Sequence, residues 1–141
     1  MHIKFIRCVA CDREYPRERL IYRCQCGESL EIVYDYDEIR GKVDWKTLRD
    51  RPFRHWRYRE FLPILSDAHI ISMDEGGTPL LLSRNLGRRL NVPELYFKCE
   101  GLNPTGSFKD RGTTIEVSKA VEHGSRDADD RGDGAQYGHR R

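Results

Sequence analysis

The sequence lacks any apolar run that approaches the ~18 residues needed to span a bilayer. Its opening, MHIKFIRC, also has no apolar stretch of signal-peptide length. Neither sign of charge is in excess, since the net charge is +2 although 34% of the residues are charged. No internal repeat or homopolymer tract is present. These absences predict a soluble cytoplasmic protein with no membrane partner and no bulk attraction to nucleic acid.

Cysteine is present in an odd number, which together with the missing secretion signal argues against a disulfide framework. The five cysteines are Cys8, Cys11, Cys24, Cys26 and Cys99. The first two form a CxxC pair, and after twelve intervening residues the next two form a CxC pair, followed by Gly27. Two close pairs joined by a short hairpin are how a chain builds a tetrahedral thiolate site. The spacing therefore predicts structural zinc on Cys8, Cys11, Cys24 and Cys26.

Other interpretations of these cysteines stay open at this point. The four thiols could be reduced structural or vestigial cysteines. A redox-active CxxC is less favoured, because nothing around Cys8 indicates a strand-to-helix junction.

The pattern along the chain predicts a small module, a connector and part of a second domain. Residues 1–36 are predicted to form a zinc-ribbon-like module that ends in a strand at 30–36, and metal would supply its stability. Residues 37–65 are predicted to be a helical connector, with helical spacing over 37–51. Residues 66–124, in which short strands and helical segments alternate, predict an α/β domain.

The connector contains arginines among aromatic residues over positions 52–65. Such interleaving is typical of a nucleic-acid surface. It is equally typical of a helix that buries its aromatics and exposes its arginines. We favour the structural interpretation.

In the second domain we expect a short strand at Ile70 and Ile71, and a turn at Gly76 and Gly77. A short helix is predicted over 82–90, ended by Asn91-Val-Pro93, and a strand over 94–100.

The segment NPTGSFKDRG, residues 103–112, places Lys109 between a turn and a predicted helix over 113–121. Ser107 is predicted to be the N-cap of that helix, with Asp110 in its first turn. Backbone N–H groups at a helix start disfavour a positive charge, and an amine must be neutral to form a Schiff base with a carbonyl. Local physics alone favours an ordinary surface lysine at a helix N-terminus.

Three segments resemble one enzyme family. NPTGSFKDRG resembles the cofactor-lysine motif of the fold type II pyridoxal-phosphate enzymes. Residues 75–80, EGGTPL, are similar to a segment of the threonine synthases, and the cysteine-rich opening is similar to the N-terminus of one branch of them. The segments stand in the family's order, so the chain resembles the threonine synthases and is expected to contain an incomplete fold type II domain.

The resemblance implies a reaction and residue roles. O-phosphohomoserine and water would give threonine and phosphate. Lys109 would hold pyridoxal 5'-phosphate as a Schiff base and then move protons between substrate carbons, with Phe108 packed close to the cofactor. Asp110 would shape the turn and help to orient Lys109. Thr78 would donate a hydrogen bond to the substrate, the zinc module would be structural, and family members are often homo-oligomeric.

Two alternatives remain. A sister enzyme, such as cysteate synthase or another fold type II lyase, would share the lysine motif. A non-catalytic zinc-ribbon module that binds nucleic acid would use the arginines and aromatics of the connector.

After Gly124 the composition changes abruptly. Residues 125–141 contain four Arg and four Asp among seventeen residues, which predicts disorder. The shifted reading frame could encode an apolar strand and a small-residue turn. We therefore hypothesise a frameshift near residue 124 and a truncated, inactive product, the alternative being a natural tail.

Overall fold

The computed structural model describes residues 2–125, so the predictions for 126–141 lie outside the described residues. The first module is a three-stranded antiparallel sheet with the strand order β2-β1-β3. Its strands are β1 (Ile3–Cys8), β2 (Glu14–Tyr15) and β3 (Leu30–Tyr34). The buried core of this sheet consists of Cys8, Tyr15 and Cys24, with Ile6, Ile21 and Leu30 packed against it. The hairpin of β1 and β2 turns at the first cysteine pair, and the spacer between the two pairs contains β2 as its single strand, so the prediction of a hairpin within that spacer was wrong.

Two short helices replace the single helical stretch predicted over 37–51. They are α1 (Tyr36–Lys42) and α2 (Trp45–Asp50). The predicted strand over 30–36 stops at Tyr34 because the carboxylate of Asp35 caps α1, accepting the Glu38 N–H at 3.0 Å. Asp44 breaks the helical stretch in the same way, accepting the Thr47 N–H at 2.6 Å. Aspartate competes for nearby backbone N–H groups, so it begins a helix more readily than it continues one.

The later part of the connector contains a 3-10 helix over His55–Phe61 with a kink at Tyr58. A second 3-10 turn, Asp67–His69, precedes the segment where a strand was expected at Ile70 and Ile71. That prediction was wrong, because the backbone of Ile71 bonds to side chains instead of to another strand. Its N–H donates to the Ser118 hydroxyl at 2.8 Å, and its carbonyl accepts from the Thr114 hydroxyl at 2.6 Å.

The second domain contains two strands and two helices within the described residues. These are β4 (Leu80–Leu82), α3 (Arg84–Leu90), β5 (Tyr96–Lys98) and α4 (Asp110–Glu122), with a 3-10 turn over Glu100–Leu102. Helix α3 ends as predicted, because Asn91 adopts the left-handed conformation with φ 55°. The mixture of helices and strands agrees with the predicted class, but both described sheets are antiparallel.

None of the helices within residues 2–125 is long and apolar enough to cross a membrane.

Candidate functional site

The four cysteines of the two pairs converge at one end of the first sheet. Their sulfur atoms all lie within 4.8 Å of one another, and the Cys8–Cys26 and Cys11–Cys24 sulfur distances are 3.5 and 3.6 Å. A tetrahedral zinc site with Zn–S bonds of about 2.3 Å has sulfur–sulfur edges of about 3.8 Å. The cluster therefore has the donor chemistry and the size that a metal ion such as zinc requires.

Groups around the cluster already point at the sulfur atoms. The backbone N–H groups of Ala10 and Cys11 lie 3.4 and 3.5 Å from the Cys8 sulfur. The hydroxyl of Tyr15 lies 3.2 Å from the Cys24 sulfur, and it accepts the Gln25 N–H at 3.2 Å. The Tyr15 hydroxyl is the largest of the influences that lower the pKa of Cys24 to about 6. Metal ligands bind as thiolates, so Tyr15 favours the ligating form.

Lys109 stands at the start of α4, as the sequence predicted. It is itself the N-cap residue, and its side chain is exposed. The prediction that Ser107 is the N-cap was wrong by two positions. The Ser107 hydroxyl instead accepts the backbone N–H of Lys109 at 3.2 Å, which fixes the turn just before the helix. The neighbouring Phe108 ring is 63% exposed. An accessible amine is the group that forms a Schiff base with a carbonyl-bearing cofactor.

Asp110 closes the turn that carries Lys109. Its buried carboxylate accepts the Thr105 N–H at 2.9 Å and also the Thr105 hydroxyl. Gly106 supports the same turn with φ 77°, and its N–H donates to the Asn103 carbonyl at 2.8 Å. The described contacts of Asp110 thus shape the turn, and its predicted role in orienting the Lys109 amine stays a prediction.

Glu100 joins the lysine segment to the segment EGGTPL. Its carboxylate accepts two bonds from Arg111, at 2.7 and 2.9 Å, and one from the Thr78 hydroxyl at 2.6 Å. The Asn103 amide donates to it at 3.1 Å. Arg111 first and Thr78 second lower the pKa of Glu100 to about 2, so this carboxyl is ionised at neutral pH. Two segments far apart in sequence therefore meet at one carboxylate.

Thr78 is buried within that arrangement, at 3% exposure. Because its hydroxyl donates to Glu100, the hydrogen that was predicted to reach the substrate is engaged inside the chain. Substrate binding by Thr78 stays a prediction.

The glycines of EGGTPL touch the connector directly. Gly76 and Gly77 have φ +87° and +62°, and a Cβ on Gly77 would lie 1.9 Å from the Phe53 carbonyl oxygen. The Gly76 N–H also donates to the Asn103 side chain at 2.9 Å. Only glycine provides both this backbone conformation and this clearance.

Glu75 anchors the same turn from inside. It is 1% exposed, and its carboxylate accepts the Met73 N–H at 2.9 Å and the Ser72 hydroxyl at 3.0 Å. Burial acts to raise the pKa of Glu75, but hydrogen bonds from backbone N–H groups, Thr114 and Ser72 outweigh it and leave the pKa lowered. The carbonyl of Glu75 accepts the His55 N–H at 2.8 Å, which ties the turn to the connector.

Side chains of the arginine- and aromatic-rich segment over positions 52–65 make contacts within the chain. Arg57 donates to the carbonyls of Leu48 and Arg51 and lies over the Phe53 ring at 4.9 Å. The Trp56 ring N–H donates to the Thr114 hydroxyl at 2.8 Å. These contacts agree with the structural interpretation of the connector.

The residues that sequence reasoning missed are Tyr15, Glu100, Asn103 and Arg111. Glu100 and Arg111 lie in different elements, the 3-10 turn Glu100–Leu102 and α4, so the periodicity of a single helix or strand does not mark the pair. Tyr15 belongs to a two-residue strand, too short to show a pattern.

Comparison with known proteins agrees with this geometry. Residues 71–134 match the family described as "Pyridoxal-phosphate dependent enzyme". The threonine synthase of Methanocaldococcus jannaschii is 51% identical over 118 residues, which is 84% of this chain and 29% of that protein. The chain is related to the threonine synthases.

Other threonine synthases match the same chain. That of Methanosarcina acetivorans is 41% identical over 120 residues, covering 84% of this chain and 29% of its own length. That of Halalkalibacterium halodurans is 49% identical over 69 residues, covering 49% of this chain and 19% of its own length. The chain thus spans less than a third of the length of these threonine synthases.

Proposed function

We propose that this chain is the part of a threonine synthase that carries the cofactor lysine, in a protein that converts O-phosphohomoserine and water into threonine and phosphate. The observation that carries the proposal is Lys109, exposed at the N-cap of α4 on a turn closed by Asp110. Relatives named threonine synthase that match 84% of the chain support the choice of reaction.

Lys109 would hold pyridoxal phosphate through its amine nitrogen, and Phe108 would lie against the cofactor. When bound, the cofactor supplies an electron sink for carbanions of the substrate. The Lys109 amine, once free, would take a proton from one substrate carbon and return it to another, which is general acid–base chemistry. The Thr105–Asp110 contact would keep the amine in place during these transfers.

The zinc module would have a structural role. Cys8, Cys11, Cys24 and Cys26 would hold one zinc ion at the end of β1, and the ion would replace the large apolar core that so small a module lacks.

A chimera tests the proposed reaction. The matched 118 residues replace their counterpart in the Methanocaldococcus jannaschii threonine synthase, and phosphate release from O-phosphohomoserine is measured with pyridoxal phosphate present. We expect the chimera to be active and Lys109→Ala to lower its rate by about 10²–10⁴. Lys46→Ala, at an exposed lysine of α2, should leave the rate unchanged.

The same assay distinguishes a threonine synthase from a cysteate synthase. Release of phosphate from O-phosphoserine with sulfite, and none from O-phosphohomoserine, would favour a cysteate synthase. An active chimera that is insensitive to Lys109→Ala would contradict the assigned role of Lys109.

A further inference from the structure

The four sulfur atoms of the cysteine cluster differ in their access to solvent. Cys8 and Cys24 are buried, at 0% and 4% exposure, whereas Cys11 and Cys26 are exposed. The Cys26 sulfur lies 3.5 Å from that of Cys8, and the Cys11 sulfur lies 3.6 Å from that of Cys24. Each of these contacts joins an exposed cysteine to a buried one. A reagent in solvent therefore reaches one sulfur of each contact, and a second sulfur lies directly behind it.

Both contacts run between the CxxC pair and the CxC pair. A bridge from Cys8 to Cys26 would span 18 positions, and a bridge from Cys11 to Cys24 would span 13. Each of the two loops would enclose β2. This arrangement differs from a redox-active CxxC, in which the two cysteines of one pair bridge to each other.

We propose that the cysteine cluster is a peroxide-sensitive site, at which oxidation forms the disulfides Cys8–Cys26 and Cys11–Cys24 and releases the metal. Thiolate character and exposure determine which cysteines a peroxide oxidises first. All four cysteines would be thiolates as metal ligands, so exposure decides, and it selects Cys11 and Cys26 for the first attack. The buried partner of each then completes the bridge.

Each bridge forms in two steps. The thiolate sulfur of the exposed cysteine attacks one oxygen of hydrogen peroxide, the O–O bond breaks and hydroxide leaves, which gives a sulfenic acid. The thiolate of the buried cysteine then attacks the sulfenic sulfur, so that an S–S bond forms, the S–O bond breaks and a second hydroxide leaves. The two sulfur atoms lose two electrons, and the peroxide gains them.

Two bridges consume all four thiolates of the cluster. The chain then has no ligand left there for a metal ion, and it releases the metal into solvent. A dithiol reductant reverses the oxidation by thiol–disulfide exchange, which restores the four ligands. The cluster would thus hold metal when reduced and lose it when oxidised.

Peroxide titration of the full chain, first reconstituted with zinc, tests the proposal. Zinc release is followed with a chromophoric indicator, free thiols are blocked, and the product is digested with trypsin without reduction. Trypsin cleaves after Arg7, Arg13 and Arg23, so the two cysteine pairs lie on separate peptides. We expect complete release at about two peroxide molecules per zinc ion, and we expect the two peptides to be joined to each other.

The connectivity of the bridges is read from the joined peptides. Their fragmentation in the mass spectrometer should show Cys8 bonded to Cys26 and Cys11 bonded to Cys24. Cys99→Ser, outside the cluster, is the matched control and should release zinc at the same peroxide ratio. Addition of a dithiol and zinc should return the metal content to that of the untreated chain.

Several results would overturn the proposal. These are zinc retained at about a tenfold excess of peroxide, bridges confined within each cysteine pair, and zinc release that Cys99→Ser abolishes. The proposal rests on the proposed zinc site, and the two fail separately. A chain that takes up no zinc before peroxide is added contradicts the zinc site, and the bridge map of that metal-free chain still decides between bridges across the pairs and bridges within them.

Discussion

At the scale of single residues, the two candidate centres differ in how completely the described chain builds them. The cysteine cluster has its four sulfur atoms in place and an oriented tyrosine beside them. Lys109 has a fixed backbone and an exposed amine. The first centre therefore lends itself to tests of metal affinity, and the second to tests of covalent reactivity.

Tyr15→Phe tests the support of the metal site. The hydroxyl that it removes lies 3.2 Å from the Cys24 sulfur and is the main cause of the low pKa of that thiol. We expect the zinc affinity to fall by about 10–100-fold, as is usual when a group behind a ligand is lost. Competition with a chromophoric chelator measures this affinity. Tyr22→Phe, at a tyrosine that is 65% exposed, should not change it.

Gly77→Ala tests the contact between the glycine turn and the connector. The added Cβ would overlap the Phe53 carbonyl oxygen, and alanine disfavours φ +62°. We expect a loss of about 2 kcal/mol or more in the free energy of unfolding, measured by denaturant titration. Gly41→Ala, in α1 with nothing within 4 Å, should instead stabilise by about 0.5–1 kcal/mol. Similar values for the two variants would refute the predicted overlap.

At the scale of elements, the carboxylate of Glu100 joins the lysine segment to the EGGTPL segment, through an ion pair with Arg111 and a hydrogen bond from Thr78. Because the pKa of Glu100 is lowered from 4.5 to about 2 by Arg111 and Thr78, its stabilising effect is present above pH 4.5 and is lost as the pH falls toward 2.

Glu100→Gln tests this linkage. The variant should be less stable than the parent at neutral pH, because a neutral amide cannot pair with Arg111. The stability difference should shrink as the pH falls from 4.5 to 2, since the parent carboxylate is then protonated. Thermal unfolding of both proteins at several pH values between 4.5 and 2 measures this stability difference. A difference that does not vary with pH would show that the ion pair contributes nothing. Glu116→Gln, on α4, provides the control, because Glu116 contributes no carboxylate to the described cluster.

The sequence predicted those elements that short-range patterns determine. Short-range patterns predicted the convergence of the cysteine pairs, the start of a helix at Lys109 and the end of α3 at Asn91. Contacts between distant segments were not predictable. The Trp56–Thr114 bond spans 58 positions, and the bonds of Ile71 to α4 replaced a strand that local composition favoured. Such contacts depend on how the elements pack against one another, and the local composition of a segment does not show that packing.

At the scale of the whole molecule, the two parts are stabilised differently. The first module buries apolar and sulfur-bearing side chains around the cysteine cluster. In the second domain the buried residues are mainly polar and hydrogen-bonded, such as Glu75, Asn103 and Ser118, while the leucines of β4 are 41–60% exposed. A two-stranded sheet with exposed leucines is marginally stable alone. Because the small core of the first module is built around the cysteine cluster, metal should dominate the stability of that module.

Cys24→Ser tests this dependence. The parent is expected to bind one zinc ion per chain, and the variant to bind close to none. Loss of the metal should abolish amide protection over residues 5–35, because the sheet lacks a large core. Elemental analysis and hydrogen exchange measure the two effects. Cys99→Ser, outside the cluster, should preserve both. A folded first module in a metal-free preparation would refute the structural role of zinc.

Reductive trapping tests whether Lys109 is the lysine that binds the cofactor. The full chain is incubated with pyridoxal phosphate, reduced with borohydride, digested and mapped by mass spectrometry. We expect the pyridoxyl group chiefly on Lys109, and we expect Lys109→Ala to remove most of the label and Lys46→Ala to leave it in place. Label spread evenly over the exposed lysines, unchanged in Lys109→Ala, would show that Lys109 is not the cofactor lysine.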